Sequence, residues 1–187
     1  MALSFAAFLG HAESNLAEVE RSTSDLIELS TRQNFSFWLA QGGIHRGWAR
    51  CASGNTDEGI SWIEDGIRNR ATGSMLRLPY FLALKAEALH LTHRTREALE
   101  AIKEAEGLVE RFEERWWCAE LHRLKGVFLT ALDADETQIE ASFCAAIRIA
   151  KRQKSISLEK RAEASYAEYR RQKASASGGR GFRLPLC

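Results

Sequence analysis

The sequence of 187 residues predicts an all-α protein: an α-solenoid of antiparallel helix hairpins, with about 3.5–4 repeats of roughly 40 residues each. Apolar residues recur at steps of three and four, as in Trp117, Leu121, Leu124 and Phe128, which is the period of a helix. Small residues recur at a fixed phase of each repeat. The chain also has only 2 prolines, which disfavours an all-β sandwich with its frequent turns. An ordinary antiparallel helix bundle is the alternative that shares the first pattern.

Small residues define the repeat at two positions. The first position, inside an apolar helical stretch, is taken by Gly47, Ala86 and Gly126. About sixteen residues later an aliphatic or aromatic residue follows in each repeat, and the second small residue comes three positions after it. These pairs are Ile63 with Gly66, Ile102 with Ala105, and Phe143 with Ala146. Small residues let two helix backbones approach closely, so this phase favours stacked hairpins over the bundle.

The elements follow from the apolar period and the breaks in it. Gly54-Asn55, Thr92-His93 and Asp133-Ala134 separate the two helices of successive repeats, and Pro79 suits the first turn of a helix. The predicted helices cover residues 2–11, 16–32, 36–53, 56–70, 78–91, 95–113, 116–132, 136–153 and 156–171. We therefore predict a helical-repeat domain over residues 1–172 and a basic, Gly- and Ser-containing disordered tail over residues 173–187.

Charge and the ends of the chain limit the classes of partner. The net charge of +1 hides an asymmetry, because residues 147–187 hold 11 Lys or Arg against 3 Glu while the remainder is acidic. A basic end attracts phosphates, but few aromatic side chains accompany it, so we do not expect nucleic acid as the partner. The apolar start has no basic residue before Arg21 and is too short to span a bilayer. We predict a cytoplasmic protein that does not bind membranes.

The motifs of catalysis are missing from the sequence. It contains no Gly-rich phosphate loop followed by Lys-Ser/Thr and no Gly-x-Ser-x-Gly elbow. His90 with His93, and Cys118 with His122, have spacings that could ligate a metal, but neither pair has a matching second pair. We therefore predict a protein that is not an enzyme, with no cofactor and no metal.

Four segments carry a resemblance to known repeats. They are residues 37–40 (FWLA), 79–84 (PYFLAL), 119–126 (AELHRLKG) and 145–153 (AAIRIAKRQ). The pattern of small residues resembles a slightly lengthened tetratricopeptide repeat. The segments themselves are similar to the C-terminal region of bacterial multidomain adenylate/guanylate cyclase–ATPase regulatory proteins, in which such repeats follow a P-loop ATPase region. Residues 2–171 are covered, and residues 120–126 are the most specific part.

The resemblance implies a non-catalytic regulatory module in signalling that binds a protein or peptide. Because this sequence holds no ATPase or cyclase region, we do not carry over those activities. A part or remnant of such a signalling protein, acting only together with further domains, is the alternative reading, and a basic-tailed nucleic-acid binder is a third. The apolar Leu3, Phe5, Phe8 and Leu9 leave self-association through the repeat ends open as well.

Phase within a tetratricopeptide-like repeat indicates which side chains face the concave surface. Aromatic, His and Arg side chains are typical anchors for a bound peptide. The predicted protein-binding residues are Gln41, His45, Trp48, Tyr80, Glu87, His90, Glu120 and Arg123. The alternative for the same side chains is that they pack against an adjacent helix that is missing from this sequence.

Overall fold

The computed structural model describes residues 1–71 and 76–176, and within these ranges the chain forms α-helices and no strand. The helices are α1 (Ala2–Ala12), α2 (Leu16–Arg32), α3 (Ser36–Ala52), α4 (Thr56–Ala71), α5 (Leu78–Leu91), α6 (Thr95–Phe112), α7 (Cys118–Ala131), α8 (Glu136–Arg152) and α9 (Ile156–Ala176). The all-α prediction is confirmed.

The helix boundaries agree with the sequence prediction to within a few residues. Helix α7 starts later than predicted because Trp117 is its N-cap residue. Helix α9 runs five residues further than predicted, so residues 173–176 of the predicted tail are helical. The rest of that tail, residues 177–187, lies outside the described residues.

The chain divides into two compact units. Unit 1 spans Met1–Glu114 and contains α1 to α6, whereas unit 2 begins at Arg115 and contains α7 to α9. In unit 1 every helix packs on the next one, and α3 also packs on α1 and α5 on α3. In unit 2, α8 packs on α7, and α9 packs on both. Each odd-numbered helix of unit 1 is thus in contact with the odd-numbered helix before it.

One turn geometry recurs at the short connections. Six connections within the described residues end the preceding helix with a residue at positive φ, namely Ser14, Asn34, Gly54, His93, Asp133 and Lys154. In each, the N–H of that residue binds the carbonyl three positions back, and the next N–H binds the carbonyl five back, as in Lys154 to Lys151 and Ser155 to Ala150. This is the Schellman motif. The turns inside the hairpins, at Ser14, Gly54, His93 and Asp133, are about 40 residues apart, and Asn34 and Lys154 end the second helices of two hairpins with the same motif.

The predicted close approach of helices is confirmed at the small residues of α3 and α4. A Cβ atom at Gly47 would lie 2.5 Å from the Gly59 carbonyl oxygen and 2.8 Å from Ile63 Cγ1. A Cβ atom at Gly66 would lie 2.5 Å from Ile44 Cγ1. The two backbones are therefore held at a separation that only glycine permits.

The same contact recurs in unit 2 between α7 and α8. A Cβ atom at Gly126 would lie 2.8 Å from the Phe143 ring. Phe143 then stacks on Tyr166 of α9, with ring centroids 5.5 Å apart, in a cluster that includes Ile139 and Tyr169. The small residue of α7 thus makes room for the ring that joins α8 to α9.

Candidate functional site

The predicted binding residues of unit 1 lie on two neighbouring helices. Gln41, His45 and Trp48 are one turn apart on α3, and Tyr80 and Glu87 lie on α5, which packs against α3. The helical period places each set on one face of its helix. The structure therefore brings these predicted residues together.

Helix α1 covers this face and completes a buried hydrogen-bond network with it. The Tyr80 hydroxyl lies 3.2 Å from His11 Nδ1 and 3.2 Å from His45 Nε2. His11 Nε2 lies 3.1 Å from Glu87 Oε2, and Trp48 Nε1 donates to the same oxygen at 2.8 Å. The histidine of α1 is thus bonded to α5 through two different side chains.

Further contacts fix the position of α1 along its length. The Gln41 side-chain amide donates to the hydroxyl of Ser4. The His11 ring meets the Trp48 ring edge to face at 4.7 Å, and the Phe8 ring meets Tyr80 at 5.3 Å. The Arg77 guanidinium lies 5.1 Å from the Phe8 ring centroid and 5.3 Å from that of Tyr80. Polar and aromatic groups of α1 therefore alternate on the face predicted to be open.

Burial differs from the expectation of an open groove. Tyr80 and His45 are 0% exposed, Gln41 is 1% exposed and Trp48 is 9% exposed. The physical reason is that α1 supplies Ser4, Phe8 and His11 as partners for these side chains. The helix that covers them is α1 of this chain, whereas the alternative reading invoked a helix missing from the sequence. Their role in binding a partner stays a prediction.

His90 lies one turn beyond Glu87 on α5 and is partly buried. Its Nδ1 lies 3.0 Å from the Thr95 hydroxyl oxygen. Burial lowers the pKa of His90, and His93 lowers it further, whereas the Glu87 carboxylate raises it. The structure therefore favours the neutral imidazole at this position.

The two predicted residues of unit 2 form an ion-pair cluster. Glu120 is 1% exposed, and its Oε1 lies 2.7 Å from an Arg123 guanidinium nitrogen and 2.7 Å from one of Arg161. Arg123 also donates to the Ser165 hydroxyl at 3.1 Å. A buried carboxylate shared by two guanidinium groups links α7 to α9.

Several members of both clusters were missed by the sequence analysis. Phase analysis selected residues of α3, α5 and α7, but it did not select Ser4 and His11 of α1 or Arg161 of α9. The signal in α1 was a histidine within an otherwise apolar run. That pattern alone does not indicate bonds to residues 69 and 76 positions away in the chain.

An open apolar cleft lies elsewhere in unit 1, between α2, α3 and α4. Its volume is about 600 Å³, and its lining includes Ile27, Phe37, Leu39, Gly43 and Trp62. Phe37 is 36% exposed and Leu39 is 39% exposed. The Arg46 guanidinium lies 4.9 Å from the Trp62 ring centroid. The sequence analysis did not single out this surface.

Across residues 1–71 and 76–176, no three His, Cys, Asp or Glu side chains converge as ligands for a metal ion. Within the same ranges, no helix has the length and apolar composition needed to cross a membrane.

Comparison with known proteins gives one distant relative. The chain is 27% identical over 154 residues to an uncharacterized protein of Rhizobium meliloti (strain 1021). The matched region covers 82% of this chain but 15% of the relative, so the chain spans less than a sixth of that protein's length. No family model and no solved structure matches the chain.

Proposed function

We propose that this chain is a non-catalytic helical-repeat scaffold that binds a protein or peptide partner, as a regulatory module in signalling. The observation that carries the proposal is the recurrence of one hairpin design. Successive hairpins of unit 1 share the Schellman turn, and α3 and α5 each pack on the preceding hairpin. This pattern supports an α-solenoid of tetratricopeptide type, in which each hairpin hides its apolar stripe against a neighbour.

The predicted concave residues define the first candidate surface for the partner. A peptide that contacts His45, Trp48 and Tyr80 would take the place of α1, with an aromatic side chain where Phe8 lies and a polar group where His11 lies. The apolar cleft is a second candidate surface. Exposed apolar side chains around a concavity, such as Phe37 and Leu39, are typical of interaction sites.

A binding experiment with matched variants tests the proposal. The immobilised chain is incubated with host lysate, and the retained proteins are identified for the wild type, Trp48→Phe, Leu39→Gln and Leu91→Gln. Leu91 is 50% exposed on α5 and does not line the cleft, so Leu91→Gln is the control for Leu39→Gln. We expect a protein that the wild type and Leu91→Gln retain and that one of the other two variants loses.

Two outcomes would contradict the scaffold proposal. One is that no protein is retained above the level of an unrelated helical bait. The other is that all three variants retain the same proteins as the wild type. Circular dichroism of each variant separates a lost contact from a lost fold.

The second candidate function is that of a C-terminal part, or remnant, of an adenylate cyclase/ATPase-type signalling protein that acts only with further domains. The observation that favours it is the relative, whose matched region is only 15% of its length. Reading the coding sequence upstream of this chain tests it. A P-loop or cyclase domain encoded there supports this function, and its absence contradicts it.

A further inference from the structure

A small polar cavity lies between α2 and α3 in unit 1. Its volume is about 250 Å³, and it is lined by Glu20, Ser24, Arg46, Ala49 and Arg50. Arg46 and Arg50 are one helical turn apart on α3 and are only partly exposed. Both guanidinium groups therefore border the same space, where they could bind one anionic group together.

Neither arginine has an acidic partner among residues 1–71 and 76–176. Within these ranges, the Arg50 guanidinium makes no hydrogen bond or ion pair, and that of Arg46 makes only a cation–π contact with the Trp62 ring, at 4.9 Å from its centroid. The Glu20 carboxylate also lines the cavity, and it accepts a hydrogen bond from the Ser53 hydroxyl at 3.4 Å. Two cations and one anion leave a single positive charge, which one further carboxylate would balance.

The polar cavity and the apolar cleft of unit 1 form one groove along α3. Leu39 and Gly43 line the cleft, and Arg46 and Arg50 line the cavity. These four residues follow at steps of three and four, so they share one face of α3, on the side away from α1. Arg46 joins the two parts, because its guanidinium covers the ring of Trp62, which lines the cleft. We call this surface, bordered by α2 and α4, the α3 groove.

The α3 groove has an apolar end and a basic end. Asp65 lines the apolar end, but its carboxylate pairs with Arg68 at 2.9 Å. Seven residues separate Gly43 from Arg50, so the two ends lie about 10 Å apart along the helix. An occupant can cover that distance with about three residues of extended chain or with two turns of helix.

We propose that the α3 groove binds a segment of the protein partner whose apolar side chains fill the cleft and whose Asp or Glu carboxylate lies between Arg46 and Arg50. The inference rests on the proposed scaffold function and names the chemistry of its partner. A carboxylate carries the single negative charge that the cavity lacks, and guanidinium groups match its planar geometry. A phosphoryl group carries a charge of about −1.5 to −2, which exceeds the charge to be balanced and is repelled by Glu20.

A library of random twelve-residue peptides supplies the probes for a test. Panning the library against the immobilised full chain selects the peptides that bind. We expect the selected peptides to share apolar side chains and one Asp or Glu, about three positions away in an extended peptide or seven in a helical one. Fluorescence anisotropy then gives the dissociation constant of each labelled peptide and of its copy with Asn or Gln at the acidic position.

A double-mutant cycle locates the bound carboxylate. Arg50→Gln should raise the dissociation constant of a selected peptide about tenfold, because a charge-assisted hydrogen bond is lost. The same variant should leave the dissociation constant of the amide copy unchanged. Arg96→Gln is the matched control, since it removes an exposed arginine of α6 that lines neither part of the groove. It should bind both peptides like the wild type.

Gly43→Leu tests the apolar end of the groove. A Cβ atom at Gly43 would meet no atom closer than 3.9 Å, so the leucine can extend from the floor of the cleft without a clash. We expect this variant to keep the fold, as measured by circular dichroism, and to lose the binding of both the selected peptide and its amide copy.

Peptides that bind Arg50→Gln and Gly43→Leu as tightly as the wild type would overturn the inference and leave the scaffold function standing. Selected peptides without an acidic residue, or tighter binding with phosphoserine at the acidic position, would overturn it as well. If no peptide is selected, the inference fails, whereas the capture from host lysate still decides the scaffold function.

Two other occupants would also overturn the inference. Dodecanoate that binds more tightly than any selected peptide, and that Arg50→Gln no longer binds, would assign the groove to a fatty acid. A wild-type dimer that Gly43→Leu dissociates, measured by light scattering, would assign the groove to a second copy of this chain.

Discussion

His90 shows how burial makes one side chain sensitive to pH. Its pKa is lowered chiefly by burial, so the folded chain binds a proton there less readily than the unfolded chain, whose histidine has a pKa of about 6.5. The stability from the neutral ring is therefore present above pH 6.5 and is lost as the pH falls below it. We expect His90→Gln to show a smaller fall in unfolding free energy between pH 7 and pH 5 than the wild type.

Urea titrations at the two pH values measure this difference, which has a ceiling of about 1.4 kcal/mol per pH unit. His93→Asn is the control, because His93 is exposed in the turn after α5 and Asn tolerates its positive φ of 61°. His93→Asn should keep most of the wild-type fall in unfolding free energy between pH 7 and pH 5. Equal pH dependence of His90→Gln and the wild type would show that His90 titrates as it does in water.

Close helix contact in the α3–α4 hairpin depends on the absence of a side chain at Gly47. Gly47→Ala would place a methyl group 2.5 Å from a backbone oxygen, so the helices must separate, and we expect a loss of about 1–3 kcal/mol of unfolding free energy. Gly43→Ala is the matched control on the same helix. Its methyl group would lie 3.9 Å from the nearest atom, so helix propensity alone should make it more stable by about 0.5–1 kcal/mol. Unfolding free energies that change in the same direction in Gly47→Ala and Gly43→Ala would contradict this account.

The Schellman turns hold non-glycine residues in a strained conformation. Lys154 ends α8 with φ at 55°, a region that costs an L-residue about 1–2 kcal/mol. Lys154→Gly should therefore raise the unfolding free energy, by roughly 0.5–1 kcal/mol after the entropy of glycine is subtracted. Gly54→Ala, at φ 91° with no atom within 4 Å of its added methyl group, should lower it. Thermal melts check this: the Tm should rise above the wild-type value in Lys154→Gly and fall below it in Gly54→Ala.

More of the fold than of the buried hydrogen-bond network can be predicted from the sequence. Helix boundaries are local, because the break at Thr92-His93 and the proline at position 79 act within one turn, and α5 is predicted as residues 78–91 and observed as Leu78–Leu91. The bond from His11 to Glu87 is not local. It depends on α1 and α5 both packing on α3. Helical phase predicts which face of a helix is buried, but it does not predict which other helix packs against that face.

Across the chain, the outer face of α1 is the place where self-association would begin. Phe5 is 50% exposed and Leu9 is 53% exposed, and their spacing of one turn makes them a continuous apolar stripe. Because both side chains are already about half buried, burying the rest is worth roughly 1 kcal/mol for each, so two such pairs of side chains favour at most a weak dimer at high concentration. We expect light scattering to show a mass that rises with concentration, and Leu9→Glu to keep the chain monomeric.

Leu91→Glu places the same charge at an equally exposed leucine of α5, so it should associate like the wild type. A wild-type mass that stays monomeric at all concentrations would show that the stripe on α1 does not pair with itself.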